Sequence, residues 1–222
     1  MPPRKLVRDS VGYVFTQYVV RAALMLRGFI AARVLGPQAY GSWNAIQLVM
    51  DYGSLATLGT QQGLDQAVPP ALVAEDPRAL RSVTRGGLFN IVLLTCLFIA
   101  GIVGIALWKR GEVLTHWGLT GLLVACGVIL LTNVAYYMTT VLRSHNDFNA
   151  VSRWWFLQAL FGAGIGLGGL WVWGPWALLG GWFVGTLIAT VVTGVASRHV
   201  APLKAYPTAD SQRLIRIGLP MF

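Results

Sequence analysis

Two arginines lie well inside the first long apolar segment of the chain, residues 11–34, where charged side chains are rare, and a third, Arg33, lies at its end. Arg21 falls near the middle of this segment, and Arg27 lies more than one helical turn further on. A charge at the centre of a bilayer costs roughly 2.5–3.5 kcal/mol, so such residues usually face a hydrated cavity. Gln17 shares the helical face of Arg21, whereas Arg27 lies about 120° away on an ideal helix. Both arginines therefore contact one cavity only if that cavity is wide or the helix bends.

A stripe of polar side chains runs along the second apolar segment, residues 40–63. Asn44 and Gln47 precede Asp51 by seven and four residues, which places all three on one helical face. The fourth apolar segment carries a similar stripe, formed by Asn133, Tyr136, Tyr137 and Thr140. Lipid contact does not explain these stripes, because hydrocarbon offers no hydrogen-bond partner.

Two interpretations account for these polar residues. In the structural one, Asp51 forms a buried ion pair with Arg21 or Arg27, and the amides join neighbouring helices. In the functional one, the first, second and fourth segments line a hydrated cavity in which the arginines outnumber the acid. Arginine binds phosphate through two parallel hydrogen bonds, so such a cavity suits an anionic group.

The functional interpretation assigns roles to these residues. Asp51 takes part in proton or sodium coupling, or tunes the arginines. The predicted substrate-binding residues are Arg21, Arg27, Gln17, Asn44, Gln47, Asn133 and Tyr137. No catalytic residue, cofactor or metal is expected, because no metal-ligand spacing or phosphate loop occurs. The three histidines lie in separate loops, at His116, His145 and His199.

Membrane-spanning helices are the elements that position these residues. The chain is 55% hydrophobic and only 11% charged, with a mean hydropathy of +0.62, whereas soluble domains carry about 25% charged residues. A spanning helix needs about 20 mostly apolar residues. An all-α lobe over residues 1–200 is predicted, with spans at 11–34, 40–63, 87–108, 117–142, 150–171 and 176–196. A linker at 201–212 and the start of a seventh helix at 213–222, apparently truncated, complete the predicted polytopic membrane protein.

Glycine and proline mark the predicted turns between these spans. Gly36-Pro37 and Gly174-Pro175 make two of them, and Pro69-Pro70 opens a longer loop. The basic start of the chain resembles a signal peptide, but arginines interrupt the apolar stretch after it. We therefore expect a retained first helix.

The basic residues orient the predicted helices. The net charge is +9, from 17 lysines and arginines against 8 acids. With the N-terminus in the cytoplasm, most basic residues fall in inside segments, and the outer turns hold Arg33, Lys109 and Arg110. This bias follows the positive-inside rule, so both ends are expected in the cytoplasm. The same bias explains why the chain is basic, so no nucleic-acid partner is needed to account for the net charge.

Short motifs resemble one family of membrane proteins. Ala32-Arg-Val-Leu-Gly-Pro-Gln-Ala-Tyr-Gly41 is similar to the turn after the first helix in Wzx-type polysaccharide biosynthesis flippases. Asp51-Tyr-Gly53, Leu142-Arg-Ser-His-Asn-Asp-Phe148 and Ile215-Arg-Ile-Gly-Leu-Pro220 resemble later family motifs. These flippases belong to the multidrug/oligosaccharidyl-lipid/polysaccharide exporter superfamily.

The resemblance implies a fold and a substrate. Family members have two six-helix lobes, related as parallel repeats, around a cavity that opens alternately to each side. This chain matches the N-terminal lobe, so a C-terminal lobe or a second copy is expected as a partner. The implied activity is not enzymatic. It is flipping an undecaprenyl-pyrophosphate-linked, anionic oligosaccharide across the cytoplasmic (inner) membrane while its tail stays among the membrane lipids.

Two alternatives remain open at the level of the sequence. A drug or cation exporter of the same superfamily would favour an acid-rich cavity, whereas the middle parts of the spans here hold two arginines and one acid. A membrane-embedded enzyme of the polysaccharide pathway would favour a sizeable outer loop with clustered acids, histidines or arginines.

Overall fold

The computed structural model describes residues 3–109, 118–198, 204–208 and 210–221, and all regular structure in these residues is helical. The helices are α1 (Pro3–Leu55), α2 (Thr60–Val73), α3 (Pro77–Trp108), α4 (Gly118–Ser144), α5 (Phe148–Gly168), α6 (Leu170–Trp173), α7 (Pro175–Ala196) and α8 (Asp210–Gly218), followed by a 3-10 turn at Leu219–Met221. The predicted all-α class is confirmed. His116, Trp117, Arg110 and His199 lie outside the described residues.

Three of these helices are long and apolar enough to cross a membrane by length and composition. They are α3, α4 and α7. The helices at the other predicted span positions do not meet this criterion, and α1 carries Arg21 and Arg27. The chain is thus a polytopic membrane protein, and the full set of six spans stays a prediction.

The longest helix, α1, contains the first predicted span and the larger part of the second. They meet at a kink at Gly36, whose φ of 71° and ψ of 174° are not helical. A positive φ is open to glycine because it has no Cβ. Pro37, which follows, lacks an N–H and cannot continue the hydrogen-bond ladder. The kink therefore divides α1 into a first arm, 3–35, and a second arm, 37–55.

The structure corrects the predicted end of the second span and the loop after it. The helix stops at Leu55, a turn follows over 56–59, and α2 contains both Pro69 and Pro70. Leu64 and Val68 are fully buried in a core cluster with residues of α3, α4 and α8. This packing keeps α2 helical despite the prolines, since tertiary contacts override local propensity.

Two helices begin at aspartate caps in the predicted loops. The Asp76 carboxylate accepts hydrogen bonds from the backbone N–H groups of Arg78 and Ala79, and Pro77 occupies the first turn of α3. The Asp147 carboxylate accepts from the backbone N–H of Ala150 at the start of α5. Both satisfy N–H groups that a helix start leaves unpaired. The polar stretches around Glu75 and Asn146 are therefore turns, as the sequence predicts.

Small residues set the close packing of α5 on α7. A Cβ atom added at Gly181 would lie 2.5 Å from the backbone nitrogen of Gly166, and one at Gly185 would lie 2.5 Å from that of Gly162. Backbones this close leave no room for a side chain, which is the usual role of small residues between membrane helices.

The start of α8 is anchored on α3. The Asn90 side chain donates to the backbone carbonyl of Ser211, and the Thr208 hydroxyl donates to that of Ser82. The guanidinium of Arg85 lies 4.8 Å from the ring centroid of Tyr206. The helix begins at Asp210 rather than at the predicted residue 213, so the last residues of the predicted linker are already helical.

Candidate functional site

The two arms of α1 and helix α7 enclose a polar cleft of about 360 Å³. Because the chain kinks at Gly36, side chains from both arms face each other across this cleft. The cleft is lined by Leu24, Arg27, Gly28, Ala31, Tyr40, Trp43, Asn44, Gln47, Leu48, Asp51 and Trp182. The kink lies beyond both Arg21 and Arg27, so it does not bring these two arginines onto one cavity.

Arg27 is the buried cation of this cleft. The residue is only 5% exposed. The central carbon of its guanidinium lies 4.4 Å from the ring centroid of Trp182 and 5.7 Å from that of Trp43. Within the part of the chain that the structure describes, Arg27 has no acidic partner within 4 Å, and its buried Nη1 atom has no hydrogen-bond acceptor. The guanidinium thus keeps a free donor.

The polar stripe of the second arm lies on the same cleft. Asn44 and Asp51 are exposed to it and Gln47 is half-buried. Among the described residues, Asp51 forms no ion pair with Arg27 or Arg21, so the paired arrangement considered for these residues does not occur. The cleft therefore presents an arginine and a carboxylate that do not neutralise each other by direct contact.

The structure places Gln17 and Arg21 on a different face of the first arm. Together with Tyr13, Val14 and Tyr18 they line a separate groove of about 180 Å³. Arg21 is exposed there. The first arm is helical throughout, so Arg21 and Arg27 lie about 120° apart around the helix axis, as the sequence predicts. The two arginines are therefore on different faces.

Asn133 and Tyr137 lie in the helix core rather than on the cleft. The Asn133 amide donates to the backbone carbonyl of Gly53, at 3.0 Å, and to the Thr95 hydroxyl, at 2.9 Å. It thereby joins α4 to α1 and α3. Tyr137 is fully buried in the cluster that includes Leu64 and Val68.

The aromatic walls of the cleft are the functional residues that the residue pattern did not single out. Trp43 and Trp182 enclose the Arg27 guanidinium, and Tyr40 lines the same space. Trp182 gives a sequence signal, because it is the one tryptophan that lies deep in a predicted span instead of near a span end. Trp43 lies near a predicted span end, where tryptophan is common for other reasons.

Comparison with known proteins identifies the family and the fold. The family model described as "Polysaccharide biosynthesis protein" matches residues 6–222. Among solved structures, a mutant of MATE is 15% identical with a TM-score of 0.72, and the alignment covers 97% of this chain and 51% of that one. MATE in complex with Br-NRF is also 15% identical, with a TM-score of 0.70 and coverage of 97% and 52%. No curated protein matches the chain.

These similarities agree with each other. The chain has the fold of about half of the MATE structures, and it spans about half of their length. The family match and this fold both support the exporter superfamily that the sequence motifs suggest. Since the family model covers nearly all of the sequence, the chain belongs to the polysaccharide biosynthesis protein family.

Proposed function

We propose that the protein is a flippase that moves an undecaprenyl-pyrophosphate-linked oligosaccharide across the cytoplasmic membrane. The chain supplies one lobe of the transporter, and a C-terminal lobe or a second copy supplies the other. The lipid tail stays in the bilayer while the head group passes through the cavity between the lobes. The process is binding and alternating access, with no covalent step and no cofactor.

The observation that carries the proposal is the unpaired state of Arg27. Burying an ion costs several kcal/mol unless a partner compensates for the lost water. The two tryptophan rings contribute about 2 kcal/mol or more in a desolvated cation–π contact. This leaves part of the cost uncompensated, together with an unused N–H donor on Nη1. A pyrophosphate group offers both the opposite charge and the hydrogen-bond acceptors.

The neighbouring residues suit the same ligand. Asn44 and Gln47 supply amide donors on the cleft, next to the arginine side chain. Asp51 gives the cleft a carboxylate that repels the anion, so its protonation or binding of a cation would be coupled to substrate binding. This is how a proton or sodium gradient would drive the transport step.

The test measures on which side of the membrane the lipid-linked precursor accumulates. The complete protein is expressed in cells that lack their own flippase, with Arg27→Ala and with Arg78→Ala as the matched control. Arg78 is an exposed arginine at the start of α3, away from the cleft. We expect Arg27→Ala to insert normally, lose most surface polysaccharide and accumulate precursor on the cytoplasmic side, while Arg78→Ala behaves as the parent. Normal export by Arg27→Ala at matched protein levels contradicts the proposal.

A cation exporter is the second candidate, and one observation favours it. Asp51 is an exposed carboxylate without an ionic partner among the described residues, in a cleft that also contains aromatic rings. Cations bind to such rings as well as to carboxylates. Export of cationic dyes that Asp51→Asn abolishes and Arg27→Ala leaves intact would favour this function over the flippase.

A further inference from the structure

A second cleft, of about 210 Å³, lies at another position in the lobe. Helices α1, α2, α4 and α5 each contribute to its wall. It is lined by Tyr13, Gln61, Gln62, Asp65, Tyr136, Thr139, Thr140, Arg143, Val151 and Trp155. Arg143 belongs to a segment that the positive-inside rule places in the cytoplasm, so this cleft lies at the predicted cytoplasmic end of the lobe. Tyr136 and Thr140 of the predicted α4 stripe lie on it, and Arg143 belongs to the predicted motif at residues 142–148.

The charges of this cleft are paired, unlike the charge of Arg27. The Nη2 atom of Arg143 lies 3.2 Å from Oδ1 and 3.3 Å from Oδ2 of Asp65. The same nitrogen lies 3.3 Å from the Thr140 hydroxyl oxygen. Opposite charges at this distance cancel, so the lining offers no surplus charge to a ligand. A neutral, hydroxyl-rich group fits this cleft better than a phosphate does.

Two amides of the lining have unused hydrogen-bonding atoms. The Nε2 atom of Gln61 and the Oε1 atom of Gln62 are both buried, and neither has a partner in the described part of the chain. One is a donor and the other an acceptor. Leaving such a group unsatisfied is unfavourable, so a bound ligand that pairs with both would recover this cost.

Aromatic rings form the apolar part of the same wall. The ring centroids of Tyr136 and Trp155 lie 6.2 Å apart with a tilt of 40°. Trp155 also contacts the edge of Trp154 at 4.9 Å, and Trp154 donates to the Thr190 hydroxyl. The Trp155 ring is thus supported by a buried neighbour. Ring faces of this kind pack against the C–H faces of sugar rings, while the sugar hydroxyls bond to amides and carboxylates.

We infer that this cleft is a saccharide-binding subsite that takes sugar rings of the head group at the cytoplasmic side. The inference rests on the proposed function, because it divides the head group between two clefts. The pyrophosphate contacts the Arg27 cleft, which has an unpaired cation. The sugar contacts the Gln61 cleft, which has paired charges, unsatisfied amides and aromatic rings.

The test compares two lipids in binding measurements on the purified complete protein. One is undecaprenyl pyrophosphate, and the other is the same lipid with an oligosaccharide of several sugars attached, because Tyr13 and Arg27 lie about 21 Å apart along the first arm. We expect the sugar to increase affinity for the parent protein. Because one hydrogen bond contributes about 0.5–1.5 kcal/mol, Gln61→Met should lower affinity for the glycosylated lipid by about 2- to 12-fold. Its affinity for the unglycosylated lipid should stay within twofold of the parent.

Gln61→Met also separates a binding role from a structural one. Methionine has a similar length and removes an unsatisfied buried amide, so the ligand-free variant should be at least as thermally stable as the parent. Gln38→Met is the matched control, since Gln38 is exposed near the kink of α1. A variant that loses stability but keeps the sugar-dependent gain in affinity overturns the inference.

The remaining outcomes distinguish the two proposals. Equal affinity of the parent for both lipids overturns the saccharide subsite. If Arg27→Ala then still weakens the binding of both lipids, the proposed function is supported. If Gln61→Met removes the sugar-dependent gain but Arg27→Ala changes nothing, the subsite stands and the role of Arg27 is wrong. Binding of neither lipid contradicts both.

Discussion

At the scale of single residues, burial has opposite consequences for the two polar side chains Arg27 and Asn133. Both are almost completely buried. Asn133 uses its amide donor on α1 and α3, with bonds to Gly53 and Thr95. The Arg27 guanidinium lies over two ring faces, and its Nη1 donor has no acceptor among the described residues. Asn133 therefore holds the lobe together, whereas Arg27 is suited to hold a ligand.

Substituting Asn133 should lower the stability of the protein without a specific effect on substrate binding. In Asn133→Leu, the bonds to the Gly53 carbonyl and the Thr95 hydroxyl are lost, which costs about 1–3 kcal/mol. Among the described residues, only the carbonyl keeps another donor, the Ala56 N–H. Thermal unfolding of the purified complete protein measures this loss. Asn44→Leu is the comparison, because Asn44 is exposed on the cleft. An unchanged unfolding temperature for Asn133→Leu would show that these two bonds do not stabilise the lobe.

The sequence predicts part of the Arg27 cleft, and helical geometry explains which part. Spacing places Asn44, Gln47 and Asp51 on one face, and the structure has these three on the cleft with Arg27. Spacing shows which residues share a helical face but not which face lines a cavity. The sequence alone therefore does not show whether Arg21 or Arg27 lies on the cleft. The stripe on α4 has the same periodicity, yet its Asn133 is turned into the core.

At the scale of the elements, breaks in α1 and contacts between glycines decide the architecture. The kink at Gly36 is readable from the sequence, because glycine followed by proline is a strong helix-breaking signal. The local sequence does not predict that α2 continues through Pro69 and Pro70. This continuation depends on the burial of Leu64 and Val68 against helices that are distant in the sequence.

Two neighbouring glycines of α7 provide a test of close packing. A Cβ atom at Gly181 would lie 2.5 Å from the backbone nitrogen of Gly166, but one at Gly180 would meet nothing within 4 Å. We expect Gly181→Ala to destabilise the protein by about 1–3 kcal/mol, since overpacking forces backbones apart. Gly180→Ala should be neutral or slightly stabilising, because alanine favours helix over glycine. Equal unfolding temperatures for the two variants would contradict the close approach of α5 and α7.

At the scale of the whole molecule, the positive charges predict the orientation of the lobe in the membrane. Gln38 lies near the kink of α1 and Glu75 in the turn between α2 and α3, and both are exposed. The charge bias places Gln38 outside and Glu75 in the cytoplasm.

Cysteine labelling tests this orientation. After replacement of Cys96 and Cys126, single Gln38→Cys and Glu75→Cys variants are treated with an impermeant maleimide in right-side-out vesicles. We expect labelling of Gln38→Cys at once and of Glu75→Cys only after the vesicles are opened. The reverse pattern would mean that the lobe is inverted and that the Gln61 cleft faces outward.

The size of the chain also bears on its activity. It spans about half of the MATE structures that share its fold. Under the proposed function, a second lobe or a second copy faces the unpaired cation of Arg27 and the paired charges of the Gln61 cleft across the pathway. This is why each functional test uses the complete protein.

The most direct test of the account is lipid flipping by the purified complete protein in vesicles. Undecaprenyl-pyrophosphate-linked N-acetylglucosamine is placed in the outer leaflet, and its protection from an added galactosyltransferase is followed over time. We predict that the parent protein and Arg78→Ala accelerate protection, and that Arg27→Ala is no faster than empty vesicles. Equal rates for the parent protein and empty vesicles, or for Arg27→Ala and the parent, would contradict a flippase that holds its anionic substrate at Arg27.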